Sequence, residues 1–118
     1  MKIIYIEDNA SNIALFERIC HMAEDDLFTF LIAEDAIKQI APGTADVIII
    51  DLHLGNQQLD GIDVARGLRD KGVKEPIVAI TSYDDLFFNR IEDSGCDMYL
   101  QKPISVEGVL QLLNQYRQ

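Results

Sequence analysis

Asp46-Val47-Ile48-Ile49-Ile50-Asp51 is the stretch on which the reading of this chain turns. Four β-branched apolar residues run without a break and stop at a carboxylate. Alternation would mark a strand with one wet face, whereas unbroken apolarity marks a strand covered on both. The segment therefore predicts a central strand of a parallel sheet over Asp46–Ile50, followed at its carboxyl end by an acid.

The same signal recurs on either side, in Lys2–Ile6, Phe28–Ala33, Ile77–Thr81 and Met98–Gln101. Between the strands lie helical patterns over Ser11–Ala23, Ala36–Ile40, Gly61–Lys71, Asp85–Ser94 and Val106–Arg117. Short strands alternating with helices build βαβ units. The prediction is one α/β domain over residues 1–118, a five-stranded parallel sheet flanked by five helices. Asn9 or Ser11 can cap the first helix, Asp84 the fourth and Ser105 the fifth, while Gly95 stands where a helix-closing glycine belongs. Pro42-Gly43 and Lys74-Glu75-Pro76 read as turns.

Composition narrows the function classes. Apolar residues make up 48% of the 118, enough for a packed core. No uninterrupted apolar run exceeds four residues, far short of the ~20 that a spanning helix needs. Glu7 and Asp8 interrupt the start of the chain before a signal sequence could form. A soluble cytoplasmic protein with no membrane contact is expected. The net charge of −10 and pI near 4.4 argue against direct nucleic-acid binding by this domain, which needs clustered Lys and Arg. Cys20 and Cys96 lack metal-ligand spacing and read as reduced, buried thiols.

In open parallel sheets, ligands bind beyond the carboxyl ends of the strands. Glu7 and Asp8 follow the first strand, Asp51 the third, Thr81 and Ser82 the fourth, and Lys102 and Pro103 the fifth. Taken singly, an acidic pair is a solvated turn, Asp51 a cap, Thr81 a strand-end hydroxyl and Lys102 a surface lysine. Their arrival at successive strand ends of one fold is a poor coincidence. Adjacent carboxylates repel unless a cation joins them, and hard carboxylate oxygens suit Mg²⁺. Lys102 and Thr81 are then free to hold the oxygens of a transferring phosphoryl group, a reaction governed by positioning and charge neutralisation.

Ile3-Ile4-Tyr5-Ile6-Glu7-Asp8-Asn9, Val47-Ile48-Ile49-Ile50-Asp51-Leu52, Asp60-Gly61, Ala79-Ile80-Thr81-Ser82 and Gly95-Cys96-Asp97-Met98-Tyr99-Leu100-Gln101-Lys102-Pro103 occur in that order over essentially the whole chain. Together they resemble the receiver domains of two-component response regulators. The resemblance implies a flavodoxin-like strand order, 2-1-3-4-5. It makes Asp51 the acceptor of a phosphoryl group from a sensor histidine kinase or a histidine phosphotransfer protein. Asp8 would ligate Mg²⁺ directly and Glu7 chiefly through water, with Asp51 and the backbone carbonyl of His53 completing the protein ligands and Mn²⁺ able to substitute. Lys102 would contact the phosphoryl oxygens, with a cis bond to Pro103. Thr81 and Tyr99 would carry the switch to a face built from the fourth helix, fifth strand and fifth helix. That face would meet an output protein or domain, or a second copy of the chain. Such a protein is a phosphoacceptor signalling switch that promotes its own phosphorylation and dephosphorylation, and not a conventional enzyme.

Several residues depart from the family pattern. The loop Leu52–Gly61 is longer than usual and lacks its usual proline. His53 and Tyr83, each two residues after a site residue, are bulky and would shield Asp51 from water. Ser82 replaces a smaller residue and Ile104 an aromatic one. Phe88, one residue from the core-facing Phe87, has two readings: a semi-buried ring against the sheet edge, or an exposed anchor for a partner. Two enzyme-like or ligand-binding rivals fit less well. A phosphatase of the haloacid-dehalogenase type needs a second aspartate where His53 stands, and a flavin or nucleotide module needs a phosphate-cradling loop where Glu7 and Asp8 stand. A receiver-shaped adaptor that is never phosphorylated is weakened by the intact set of site residues.

Overall fold

The computed structural model describes residues 1–55, 57–82, 90–91 and 93–117. Five strands form one sheet: β1 (Lys2–Ile6), β2 (Asp26–Phe30), β3 (Val47–Asp51), β4 (Ile77–Thr81) and β5 (Met98–Gln101). All pairs are parallel, in the order β2-β1-β3-β4-β5, as expected. The described helices are α1 (Ala10–Met22), α2 (Ala33–Gln39), α3 (Gly61–Asp70) and α4 (Val106–Tyr116).

The strand run over residues 47–51 is central because its residues have nowhere wet to point. Every residue of β3 and of β4 is buried, whereas the edge strands β2 and β5 are only half covered. Alternate side chains divide between two cores. Ile4, Ile6, Ile48 and Ile50 pack with Ala36 of α2 and Leu68 of α3. Ile3, Tyr5, Val47 and Ile49 pack with Phe16 of α1 and Leu112 of α4. Burying one such isoleucine contributes about 1.5–3 kcal/mol, so the sheet holds helices to both sides by side-chain alternation alone. No helix among the described residues is long and apolar enough to cross a membrane.

The second strand, the second helix and the helix count differ most from the sequence reading, and the other described elements agree to within one residue at each end. The second strand is Asp26–Phe30, not Phe28–Ala33. Its partner β1 ends at Ile6, which pairs with Phe30, so Leu31 and Ile32 find no strand to pair with and stand about half exposed. Freed from the sheet, this segment starts α2 at Ala33, three residues before the expected Ala36. Four helices, rather than five, are defined among the described residues. Most of the expected helix Asp85–Ser94 lies outside them, together with Tyr83, Asp84, Phe87 and Phe88. At its end Arg90 and Ile91 are helical, while Ser94 already belongs to the turn that Gly95 closes at φ 89°. The Ser94 hydroxyl bonds the Ile91 carbonyl at 2.5 Å, which ends the segment there.

The caps follow the sequence more closely. Asn9 accepts from the Asn12 amide and opens α1, and Ser105 accepts from the Gly108 amide and opens α4. Asp60 and Asp63 form a reciprocal capping box at the start of α3. That box closes the loop that leaves β3. Its ends meet, because the Gly61 amide donates to the Leu52 carbonyl at 3.2 Å. Gly61 is required by the closeness of this return: a Cβ there would stand 2.5 Å from the Asp51 carbonyl oxygen and 2.6 Å from Leu52 Cα. Backbone cannot yield as a side-chain tip can. Gly61→Ala should therefore lower stability by roughly 1–3 kcal/mol, read as a lower urea midpoint with an unchanged m-value.

Candidate functional site

Register sets the site. Ile6 pairs with Ile50, Asp51 with Ile80 and Thr81 with Gln101, so the carboxyl ends of β1, β3, β4 and β5 emerge side by side. Glu7, Asp51 and Thr81 are almost wholly buried there, at 0%, 1% and 1% exposure. Burying carboxylates at such a place is costly unless partners are built in.

Asp51 has partners on both oxygens. Lys102 Nζ lies 2.9 Å from Oδ2, and the His53 backbone N–H donates to Oδ1 at 2.8 Å. The Lys102 amide donates to the Thr81 carbonyl at 2.8 Å, which fixes the start of the segment carrying the ammonium. The peptide bond from Lys102 to Pro103 is cis. The Thr81 hydroxyl donates to the Ser82 carbonyl at 2.8 Å, and the Ser82 hydroxyl meets His53 Nε2 at 3.1 Å. The His53 ring is thus tied to the residue that follows Thr81. Tyr99, on the outer strand β5, is 47% exposed.

Glu7 is held differently. The Asn12 side-chain amide donates to Oε1 at 2.5 Å, while Oε2 is buried with no donor directed at it. The neighbouring Asp51 carboxyl supplies a hydrogen bond only if one of the two acids keeps its proton. Burial first, and then that neighbour, push the Glu7 carboxyl up to about 8. Tyr5, beneath it, has a buried hydroxyl without a partner, and its ring stacks on Phe16 at 4.0 Å between centroids. Burial and the two acids drive the Tyr5 phenol well above its ordinary range.

Asp8 is exposed and turns to the long loop, where Gln57 Nε2 donates to Oδ2 at 3.2 Å. Among the described residues no three His, Cys, Asp or Glu side chains already form a metal cluster. The donor set nevertheless fits a hard cation. Mg²⁺ takes one or two carboxylates and completes its shell with water or phosphate oxygens. The orphaned Glu7 oxygen beside Asp51 is the place where a positive charge is missing.

Of the residues singled out in the sequence, Glu7, Asp51, Thr81 and Lys102 meet at the sheet edge, with Asp8 at its rim and Pro103 in the adjoining turn. His53 comes with them by its backbone N–H and its ring. Tyr99 stands apart on the outer strand, and Phe88 lies outside the described residues. Sequence reasoning passed over Asn12 and Gln57, the two amides that hold the acidic pair. Asn12 was findable, since it sits one turn into α1 and faces back to the strand end. Gln57 carried no signal, because its partners are distant in sequence.

An acid seated at the central strand end, with a lysine on the fifth segment and a hydroxyl on the fourth, belongs to one class of signalling domain. The family model of the response regulator receiver domain matches residues 3–114, and this chain is a member of that family. Receiver domains are signalling switches of two-component systems, not conventional enzymes. The chain is 30% identical over 105 residues to the alkaline phosphatase synthesis transcriptional regulatory protein PhoP of Bacillus subtilis, covering 88% of this chain and 43% of that one. It is 25% identical over 120 residues to the polar-differentiation response regulator DivK of Brucella anthropi, covering 97% of this chain and 94% of DivK. The chain thus spans under half of one relative and nearly all of the other. Among solved structures, a two-component response regulator from Clostridium difficile shares the fold at a TM-score of 0.85 and 23% identity, over 98% of this chain and 94% of that one. The receiver domain of the sensor histidine kinase PA1611 from Pseudomonas aeruginosa, with a magnesium ion coordinated in its active-site cleft, shares it at a TM-score of 0.86 and 23% identity, over 98% and 95%.

The raised Glu7 value has a stability signature. A folded carboxyl that keeps its proton up to about pH 8 binds more protons than the unfolded chain above the ordinary glutamate value of ~4.3. Stability is therefore greatest at and below that value and falls as pH rises toward 8. In chelator, urea unfolding should show this decline from pH 5 to 8, and Glu7→Gln should flatten it.

Proposed function

We propose that residues 1–118 act as one receiver unit in a phosphorelay, with Asp51 as the phosphoryl acceptor. The observation that carries this is the pairing of buried Asp51 with Lys102 at 2.9 Å beside the unsatisfied Glu7 carboxyl. Asp8, Glu7, Asp51 and the backbone carbonyl of His53 would hold Mg²⁺, with Mn²⁺ as a substitute. When bound, the ion offsets the negative charge of the acidic pair and of the incoming phosphoryl oxygens. The PA1611 receiver domain, whose cleft coordinates magnesium, supports this reading by analogy of fold.

The donor is the phosphohistidine of a sensor kinase or a histidine phosphotransfer protein. An Asp51 carboxylate oxygen forms the new O–P bond while the P–N bond to the donor breaks, and its electron pair returns to the imidazole nitrogen. Formation of the acyl phosphate removes the Asp51 charge and places a denser one on the phosphoryl oxygens. The Lys102 ammonium then follows the charge outward, and the Thr81 hydroxyl exchanges the Ser82 carbonyl for a phosphoryl oxygen. Tyr99, two residues before Gln101 on β5 and now 47% exposed, turns inward into the space that Thr81 leaves. The face around β5 and α4 passes the change to an output partner or a second copy, in a cytoplasmic setting.

Incubation with acetyl phosphate and Mg²⁺, followed by intact-mass measurement, tests the assignment. The wild type should gain one phosphoryl group and Asp51→Asn none. Absence of the gain in the wild type would favour an unphosphorylated adaptor, and turnover of a phosphate ester would favour a phosphatase. The His53 ring, bonded to Ser82 at 3.1 Å, would shield the acyl phosphate from attacking water. Hydrolysis of the acyl phosphate in His53→Ala should accelerate severalfold, and an unchanged rate would remove the shielding role.

A further inference from the structure

Gln57 sits in the long loop between β3 and α3, yet everything it binds lies elsewhere in the chain. Its Oε1 accepts the Ala33 amide at 2.8 Å, and its Nε2 donates to the Leu31 carbonyl at 2.8 Å. Leu31 lies in the turn between β2 and α2, and Ala33 opens α2. The same Nε2 donates its other hydrogen to Asp8 Oδ2 at 3.2 Å. Reversing the amide would set its oxygen against a carbonyl and a carboxylate, and its NH₂ against an N–H. The two backbone groups therefore fix which end of Gln57 faces Asp8.

Gly55 closes the same contact from the loop side. A Cβ there would stand 2.5 Å from Asp8 Oδ2, so the chain passes as close to that oxygen as a glycine allows. Asp8 is otherwise an exposed residue at a strand end, whose carboxylate would sample several rotamers. The donor that restrains it is a neutral amide, which brings no cation of its own to the site. One oxygen is held and the other is left to bind.

We propose that Gln57 is a positioning residue for the divalent-cation site: anchored on Leu31 and Ala33, it holds the Asp8 carboxylate by one oxygen and presents the other to the ion. This role rests on the reading of the site as Mg²⁺-dependent. It makes metal affinity a property of the long loop as well as of the acidic pair. Residues that orient a ligating carboxylate typically govern metal affinity by about 10–100-fold.

Isothermal titration of the unphosphorylated full chain with MgCl₂, and separately with MnCl₂, reads this directly. Gln57→Met keeps the length of the side chain and removes its donor and acceptor. Its Kd for Mg²⁺ should rise about tenfold or more, with Mn²⁺ weakened alongside. Urea unfolding in chelator, run in parallel, separates a positioning role from a structural one. A Gln57→Met protein that loses stability but binds Mg²⁺ within twofold of wild type overturns the proposal. Gly55→Ala is the second arm, because it displaces Asp8 and leaves the Gln57 anchors on Leu31 and Ala33 in place. It too should bind Mg²⁺ more weakly, and an unchanged Kd counts against the proposal. Wild-type protein that takes up no Mg²⁺ overturns the Mg²⁺ reading of the site and this role with it.

Discussion

A negative charge buried at the end of the central strand is the constraint on which the rest of the molecule depends. Asp51 is 1% exposed, and an unpaired carboxylate in such a place costs several kcal/mol. It is tolerable because β5 delivers Lys102 to one oxygen and the backbone delivers the His53 N–H to the other. Neither partner is near Asp51 by chance. Lys102 arrives there because β4 lies between β3 and β5, and its own amide is tied to Thr81. A different strand order would leave the acid without its cation. The topology and the electrostatics are one requirement stated twice.

The same site is built to be incomplete. Glu7 has one oxygen satisfied by Asn12 and one by nothing. A resting protein that neutralised every charge would have little to gain from a cation or a phosphoryl group. Here the single ammonium of Lys102 faces two buried acids. The proton that Glu7 retains to about pH 8 is the provisional answer to that imbalance. Binding energy for an incoming ion is thus stored as an unsatisfied carboxyl, at some cost to the stability of the metal-free fold.

The sheet was legible from the sequence wherever burial was complete. β1, β3, β4 and β5 could be read directly, because an unbroken Ile- and Val-rich run admits few other placements. The second strand was misplaced by a few residues because Phe28–Ala33 is as apolar as a core strand. What ends β2 is the length of its neighbour β1, and no local pattern records that. The site residues were legible for a related reason: strand ends are where an α/β sheet presents chemistry, and the types of residue there were unusual together. Their supports were not. Asn12 and Gln57 are ordinary amides whose importance comes from where the chain returns, and long-range return is the information a single sequence holds least openly.

The loop leaving β3 is pinched at its base, where the Gly61 amide meets the Leu52 carbonyl at 3.2 Å. Loops whose ends meet in this way are compact units. Lengthening one costs little, since closure entropy grows only with the logarithm of its length. Extra length can therefore be taken up between Gln57 and Asp60, while His53, Gly55, Gln57 and Asp60 stay tied to Asp51, to Asp8 and to the start of α3. A lineage can thus vary the length of the loop between those fixed contacts while the carboxyl edge of the sheet keeps its geometry.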